Sequence, residues 1–414
     1  MGENAVFKLE AENELRVMVG DQTQSVEIEL IDGLAEIYGT EMQKNKVYAF
    51  PKSSSISVFS WQGCSIKVTG APQEAYIATD TYMILHVILH ACLEQMRIAA
   101  ENDNRKGPVT LVVGPADSGK SSLCRLLLNY AARLGRKPFL IDLDVGQNSL
   151  SIPGTINILN VDKPADIVDG FDQEAIQAYH FGYKSPGQMI ALYFLQIKKL
   201  GEILQTRLRE TNRNARTSGV IIDTCGWTRG DGYNALTLAA MSFQIDKLVV
   251  VQEERLYTQL KRDMPSCVEV LYMPKMLGVN ERTRPVRIHY REKRVKEYFY
   301  GSTVELHPHT FEIHFSEIKI YQVTMKSPAP DSSVGVSLND IGYSEVALGP
   351  QLINQVLALS SADKMSDDAV LKNIIGFICV RDIDLVRGYI TILSPQPAPL
   401  PKKILFLGDI ELIM

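Results

Sequence analysis

The sequence predicts an α/β protein: a central doubly wound parallel sheet, flanked by a small N-terminal β domain and a C-terminal mixed α/β domain. Three observations predict it. The stretch Gly114-Pro-Ala-Asp-Ser-Gly-Lys-Ser121 has the spacing G-x-x-x-x-G-K-[ST] and sits between an apolar run at 108–113 and an amphipathic one at 122–134. After it, apolar strand-like runs alternate with helical patterns as far as Met273. On either side of that block, short period-two segments separated by turn residues dominate. The 414 residues, 45% hydrophobic and 22% charged, suffice for three domains, placed at 1–100, 101–305 and 306–414.

Taken in order, the first domain reads as strands at 14–19, 24–30, 47–50, 56–61 and 64–68, an antiparallel sandwich or barrel with turns at Asp32-Gly33 and Gln62-Gly63. Residues 81–100 place Met83, Ile84, Val87, Ile88, Cys92, Met96 and Ile98 at helical spacing, and the polar stretch 101–107 ends the domain. The central block supplies strands at 109–113, 138–143, 220–223, 247–251 and 267–273, with helices to Leu134 and at 255–262, around a longer mixed stretch. This is the pattern of a P-loop NTPase sheet, whose ligands lie at the carboxyl ends of the strands. The last block returns to strands at 311–315, 318–323, 374–380 and 389–393, with loops at 327–333 and 395–401 and no catalytic motif.

Bulk composition narrows the function classes. No apolar run reaches the roughly 18 residues of a membrane span, and the start, Met1-Gly-Glu-Asn-Ala-Val6, is not a basic stretch followed by an apolar one. The expectation is a soluble intracellular protein with no membrane partner. Six cysteines without a C-x-x-C pair predict reduced, buried thiols rather than a disulfide framework or structural zinc. A net charge of -5 argues against general nucleic-acid coating, yet residues 275–296 alone carry eight Lys or Arg against two acids.

The chemistry should follow from four groups of residues. Glycines in 114–121 let backbone amides close round a β-phosphate, Lys120 reaches the β/γ oxygens, and the Ser121 hydroxyl ligates Mg²⁺. Asp142 and Asp144 end the next strand as alternate carboxylates; Asp144 is the candidate general base and Asp142 lies nearer the metal, the alternative being a turn cap and a solvated acid. Asp223-Thr-Cys-Gly-Trp227 resembles the strand ending by which nucleotide switches sense a γ-phosphate, and Trp227 either stacks a nucleobase or fills core. Arg284, Arg287, Arg291 and Arg294 recur at spacings of three and four, forming one helical stripe: a solvated face, or a lid that brings arginines to the transferring phosphate.

Residues 114–135, 144–155 (DVGQNSLSIPGT), Thr224-Cys-Gly-Trp227, Glu254-Arg-Leu-Tyr257 and Glu297-Tyr-Phe-Tyr-Gly301 together resemble the eukaryotic polyribonucleotide 5′-hydroxyl kinases that are also a subunit of the mRNA 3′-end cleavage and polyadenylation factor. The likeness extends to Asn13-Glu-Leu-Arg16, Trp61-Gln-Gly-Cys64 and Leu393-Ser-Pro395. It implies an ATP-dependent, Mg²⁺-requiring kinase of RNA 5′-hydroxyl ends, nuclear, associated with mRNA 3′-end cleavage factor subunits and with the tRNA splicing endonuclease complex. It places nucleotide binding on Gly114, Asp117, Ser118, Gly119, Lys120, Ser121 and Ser122, with Glu14 on the adenine side. The catalytic aspartate falls on Asp144, and RNA contacts fall on Gln147, Ser185 and Trp227. Catalytic lid arginines fall on Arg282, Arg287 and Arg291, within a lid at about 278–300. Ser55 stands where the family has an adenine-side lysine, with Lys52 nearby. Some fungal members hold ATP as a structural ligand, so an ATP-locked scaffold subunit without turnover is the alternative.

Overall fold

The computed structural model describes residues 4–20, 25–326 and 337–413. Gln24 and the loop expected at 327–333 lie outside the described residues.

The N-terminal domain holds β1 (Asn4–Leu9), β2 (Asn13–Met18), β3 (Ser25–Gly33), β4 (Glu36–Ile37), β5 (Thr40–Glu41), β6 (Val47–Pro51), β7 (Ser55–Ser60), β8 (Cys64–Thr69) and β9 (Glu74–Ala78). They form two antiparallel sheets, β1-β8-β3-β6 and β5-β4-β7-β2-β9. Period-two burial, clearest in β3 and β8, turns Val26, Ile28, Leu30, Ile66 and Val68 toward Leu15, Val17 and Val58 of the facing sheet. This is the expected sandwich.

Helix α1 (Met83–Asn102) departs from its expected orientation. Its buried face is Met83, His86, Leu89, Leu93, Arg97 and Ala100, whereas Ile84, Leu85, Ile88, Cys92 and Ile98 are exposed. The inward face is fixed by a polar anchor, because Arg97 Nε donates to the Ser218 carbonyl at 2.9 Å and Nη1 to Glu94 at 3.3 Å. By length and composition α1 could cross a bilayer, but here one face is packed into the core beside Leu123, Leu126 and Leu127. Cys267 is also exposed and Cys225 is half-buried, so only three of the six thiols are fully buried.

The central elements are β10 (Val109–Val113), α2 (Lys120–Arg133), β11 (Phe139–Asp142), β12 (Thr155–Asn160), β13 (Gln177–His180), α3 (Ile190–Glu210), α4 (Arg213–Ser218), β14 (Val220–Asp223), α5 (Asp231–Phe243), β15 (Lys247–Val251), α6 (Glu254–Asp263), β16 (Glu269–Met273) and α7 (Arg284–Tyr300). The order β16-β15-β10-β14-β11 is parallel throughout. Both faces are covered: Val109, Leu111 and Val113 join the core with α3 and α5, and Val112 joins that of α1 and α2. The mixed stretch resolves into antiparallel β12 and β13, because the β11–β12 connection carries no helix with which to make a parallel crossover.

The sheet does not stop at the third domain. Strand β13 pairs with β21 (Asn373–Asp384) at Ala178↔Ile374, after β17 (His309–His314), β18 (Lys319–Met325), β19 (Ile341–Glu345) and β20 (Gln355–Ser360). With β22 (Tyr389–Ser394) and β23 (Ile404–Glu411) these strands continue the central sheet as β21-β20-β23-β18-β19, with β22 and β17 branching from β21.

Candidate active site

At the carboxyl end of β10 the backbone folds as the glycine spacing requires. Gly114 has φ +150, and a Cβ there would stand 2.5 Å from the Val251 carbonyl oxygen. Gly119, at φ +95, precedes α2, and a Cβ there would meet the Met276 Cβ at 2.4 Å. The buried Lys120 Nζ donates to the Pro115 carbonyl at 2.7 Å, and Ser118 Oγ to the same oxygen at 2.9 Å. Ser121 and Ser122 follow in the first turn of α2, where unpaired amides and the helix dipole favour a phosphate.

Three carboxylates face this loop. Parallel pairing sets Asp142 directly beside Asp223 at the ends of β11 and β14, both buried. Burial pushes the Asp142 carboxyl up, and repulsion from Asp223 and Asp144 adds to it. Burial also raises Asp223, opposed by the Lys120 charge and a hydrogen bond with Ser121. Asp142 spends its oxygens on the next loop: Oδ1 accepts from the Asp144 amide at 3.0 Å, and Oδ2 from the Ser149 amide and hydroxyl at 2.9 and 2.8 Å. Asp144 lies one step beyond the strand rather than on its face, with Oδ1 accepting from the Gly146 and Gln147 amides, each at 2.8 Å. Sequence reasoning took the Asp223 segment for a phosphate sensor and overlooked its carboxylate as an oxygen beside Ser121 and Lys120; its signal was an acid ending a buried strand next to β10.

The donor set fits Mg²⁺. Ser121, Asp223 and Asp142 offer only hard oxygens, in a spot where crowded carboxylates lack a counter-ion beyond Lys120. No ready-made cage of three or more His, Cys, Asp or Glu exists among the described residues.

The residues expected to contact RNA fall on three segments beside the loop. Gln147 Nε2 donates to the Gly146 carbonyl at 3.3 Å, leaving Oε1 buried and without a partner among the described residues. Against Gly146 lies the Lys184 carbonyl, 2.6 Å from where a Cβ would stand, so the loop after β11 touches the turn that begins at Ser185. In that turn Ser185 caps residues Pro186–Gln188, its amide donating to Gln188 Oε1 at 3.1 Å. Trp227 is half-buried and packs on Gly232, lining an open depression with Pro115, Thr228, Arg229, Gln252 and Glu253. It is neither core nor free surface.

The basic stripe lies on α7, whose N-terminus is set by Thr283 and Pro285. Arg282 and Arg287 both converge on Asp117 in the phosphate loop: the Arg282 amide and Nε lie 2.9 and 3.1 Å from its oxygens and Arg287 Nη2 2.6 Å. Burial would raise the Asp117 carboxyl, but these bonds outweigh it and hold it below the ordinary value. Arg294 donates to the Ser149 carbonyl and to Glu297, each at 3.1 Å. Arg291 has no hydrogen bond or ion pair among the described residues; burial lowers its pKa, and Asp409 and Asp144 oppose that.

On the far side of the loop, Glu14, Ser57, Phe59, Met83, Leu126 and residues 276–279 line a narrow pocket between the N-terminal domain and α2. Glu14 is bonded to Arg16 at 2.9 Å and accepts from Ser57, and burial pushes its carboxyl up. Ser55 Oγ donates to the Gly278 carbonyl at 3.2 Å, tying the N-terminal domain to the segment that leads into α7.

Known proteins align with this architecture along its whole length. Family models match in succession: the N-terminal beta-sandwich domain of polyadenylation factor over 8–100, the mRNA cleavage and polyadenylation factor CLP1 P-loop over 114–301, and the pre-mRNA cleavage complex II protein Clp1 over 306–413. The polyribonucleotide 5′-hydroxyl-kinase Clp1 of Gallus gallus is 44% identical over 411 residues, covering 98% of this chain and 96% of that protein. The human protein of the same name is 44% identical over 409 residues with the same coverage, and a CLP1 homolog of Culex quinquefasciatus is 43% identical over 410. Among solved structures, Clp1p in its complex with Pcf11p superposes with a TM-score of 0.84 at 20% identity, covering 99% of each chain, which speaks for the fold. On identity sustained across all three domains, the chain belongs to the Clp1 family.

Proposed function

We propose that this chain is an ATP-dependent polynucleotide kinase that phosphorylates the 5′-hydroxyl end of RNA, working in mRNA 3′-end processing and tRNA splicing in the nucleus. The observation that carries the reading is the meeting of Asp144, Gln147, the Ser185 turn and Arg291 at the strand ends that hold the phosphate loop. ATP lies with its phosphates on Gly114 and Asp117 to Ser122 and its adenine toward Glu14. Ser121 with Asp223 and Asp142 would hold Mg²⁺, which would supply charge neutralisation for the phosphates. Asp144 takes the proton as the RNA 5′ oxygen bonds the γ-phosphorus; the bond from γ-phosphorus to the bridging oxygen breaks, and ADP leaves. Lys120 and Arg291, joined by Arg282 and Arg287, offset the charge on the transferring group. Gln147 and the Ser185 turn seat the end of the chain, and Trp227 stacks a base.

Partners fit the same picture. The structural neighbours hold Pcf11p and the matching family models carry polyadenylation-factor names, which supports mRNA 3′-end cleavage factor subunits as companions; the tRNA splicing endonuclease is a further companion on the family resemblance alone. The exposed Ile84, Leu85, Ile88 and Ile98 on α1 favour a scaffold role beside catalysis, since a charge-free helix face of this length suits a protein contact. The test is purified protein with γ-labelled ATP and a 5′-hydroxyl oligoribonucleotide. Transfer that disappears in Lys120→Ala supports the kinase; tight ATP retention without transfer in the unmodified protein leaves only the scaffold.

A further inference from the structure

The C-terminal domain carries no catalytic motif, yet one of its side chains enters the site. Strand β23 approaches the turn after β13 so closely that a Cβ on Gly408 would stand 2.2 Å from the Gly182 carbonyl oxygen. The Asp409 amide donates to that same oxygen at 2.8 Å, which locks the backbone in place. From there Asp409 Oδ2 accepts from Gln188 Nε2 at 3.2 Å. Gln188 is the residue whose Oε1 closes the Ser185 turn, so the carboxylate grips that turn through a side chain whose other end is already engaged.

The second oxygen gives the other half of the argument. Asp409 Oδ1 is buried and has no partner among the described residues. A buried carboxylate oxygen is costly to leave so, and draws a donor when one is near. On α7, Arg287 and Arg294 are bonded, whereas Arg284 and Arg291 have no hydrogen bond or ion pair among the described residues; Arg291 feels Asp409 and Asp144 as attractive charges and Arg284 and Arg287 as repulsive ones. A guanidinium has five donors in a planar fork and can serve a carboxylate and a phosphate at once.

We propose that Asp409 is a positioning residue for the RNA end: its bond to Gln188 fixes the Ser185 turn and leaves its buried Oδ1 free to accept a donor there, so the C-terminal domain completes the site. The inference rests on the kinase reading, and two readouts separate them. Binding of a fluorescent 5′-hydroxyl oligoribonucleotide judges Asp409 even if transfer fails; absence of transfer in the unmodified protein counts against the kinase reading alone.

Asp409→Ala should weaken RNA binding, and raise the RNA KM, by about tenfold while the ATP KM stays within about twofold. Asp409→Asn keeps an acceptor for Gln188 and should recover RNA binding. Gln188→Met removes the same bond from the other side, and the Asp409→Ala/Gln188→Met pair should be no worse than the more affected single variant. Unchanged RNA binding in Asp409→Ala, equal shifts in both KM values, or additive losses in the pair would each overturn the proposal. Gln188→Met alone decides it if Asp409→Ala does not fold.

Discussion

Asp117→Ala tests whether the phosphate loop itself holds the lid. The Asp117 side chain is 5% exposed, whereas those of Arg282 and Arg287 are 41% and 35% exposed. A hydrogen bond to a charged group contributes about 1.5 to 3 kcal/mol when buried, and the exposure of the arginine ends draws each contact toward the 0 to 1 kcal/mol of a surface pair. The Arg282 amide loses its acceptor as well, so the attachment of α7 to the loop is weakened by about 2 kcal/mol. If transfer requires the attached lid, kcat/KM for 5′-hydroxyl RNA falls about 30-fold. Hydrogen exchange supplies the structural readout: amides at 282–290 should exchange faster in the variant. Because the latch depresses the Asp117 carboxyl, it is present above the ordinary carboxyl range and lost only as pH falls through the lowered value, so the effect should be flat from pH 6 to 8. Unaltered exchange with unaltered kcat/KM would refute the latch. Faster transfer would show that Asp117 competes with phosphate for the arginines.

Three further outcomes follow from the geometry. Asp144→Asn should bind ATP normally and lose about 10² to 10⁴ in kcat, measured by single-turnover transfer; activity within tenfold of the parent would remove Asp144 as the base. Trp227→Ala should raise the RNA KM about 5- to 150-fold, the worth of one stacked base, with ATP KM unmoved, and equal shifts in both would count against stacking. His86 is buried with Nδ1 unpartnered, and burial pushes its pKa down to about 4, so the unfolded chain takes up a proton that the fold refuses. Its contribution is intact above about pH 6.5 and is lost as pH falls toward 4, about 2 kcal/mol by pH 5. His86→Leu should therefore gain about 2 kcal/mol on the parent between pH 7 and 5 in chemical denaturation. The comparison of variant with parent cancels the opposite trend of the raised Asp142 and Asp223, and a gap that ignores pH would refute the assignment.

What was legible in the sequence was what local spacing dictates. The phosphate loop, the strands that end in Asp142 and Asp223 and the arginine stripe each announce themselves within a few residues, and each stands where the pattern placed it. The face of α1 was not legible, because apolar residues lie all round the helix and only tertiary context selects one side. There His86 and Arg97 point inward, since Arg97 finds the Ser218 carbonyl, while four apolar residues face out. The antiparallel turn of the sheet after β11 was hidden for a related reason: strand pairing between β13 and β21 joins residues nearly two hundred positions apart, and nothing local marks them as neighbours.

The charges of the site divide into two halves with opposite needs. At the strand ends, Asp142, Asp144 and Asp223 crowd round one lysine, and that excess of negative charge raises the two buried carboxyls. On the lid, Arg282 and Arg287 use the one carboxylate within the phosphate loop, and Arg291 has no bonded acid among the described residues but feels the charges of Asp409 and Asp144. A metal ion bound to a triphosphate is the ligand that answers both, since its cation faces the acids and its phosphates face the arginines. Neither half could be relieved by nucleotide alone or metal alone without deepening the imbalance of the other. The same reasoning explains why Asp117 belongs to the loop: it supplies negative charge to Arg282 and Arg287, and so ties the start of α7 to the phosphate loop.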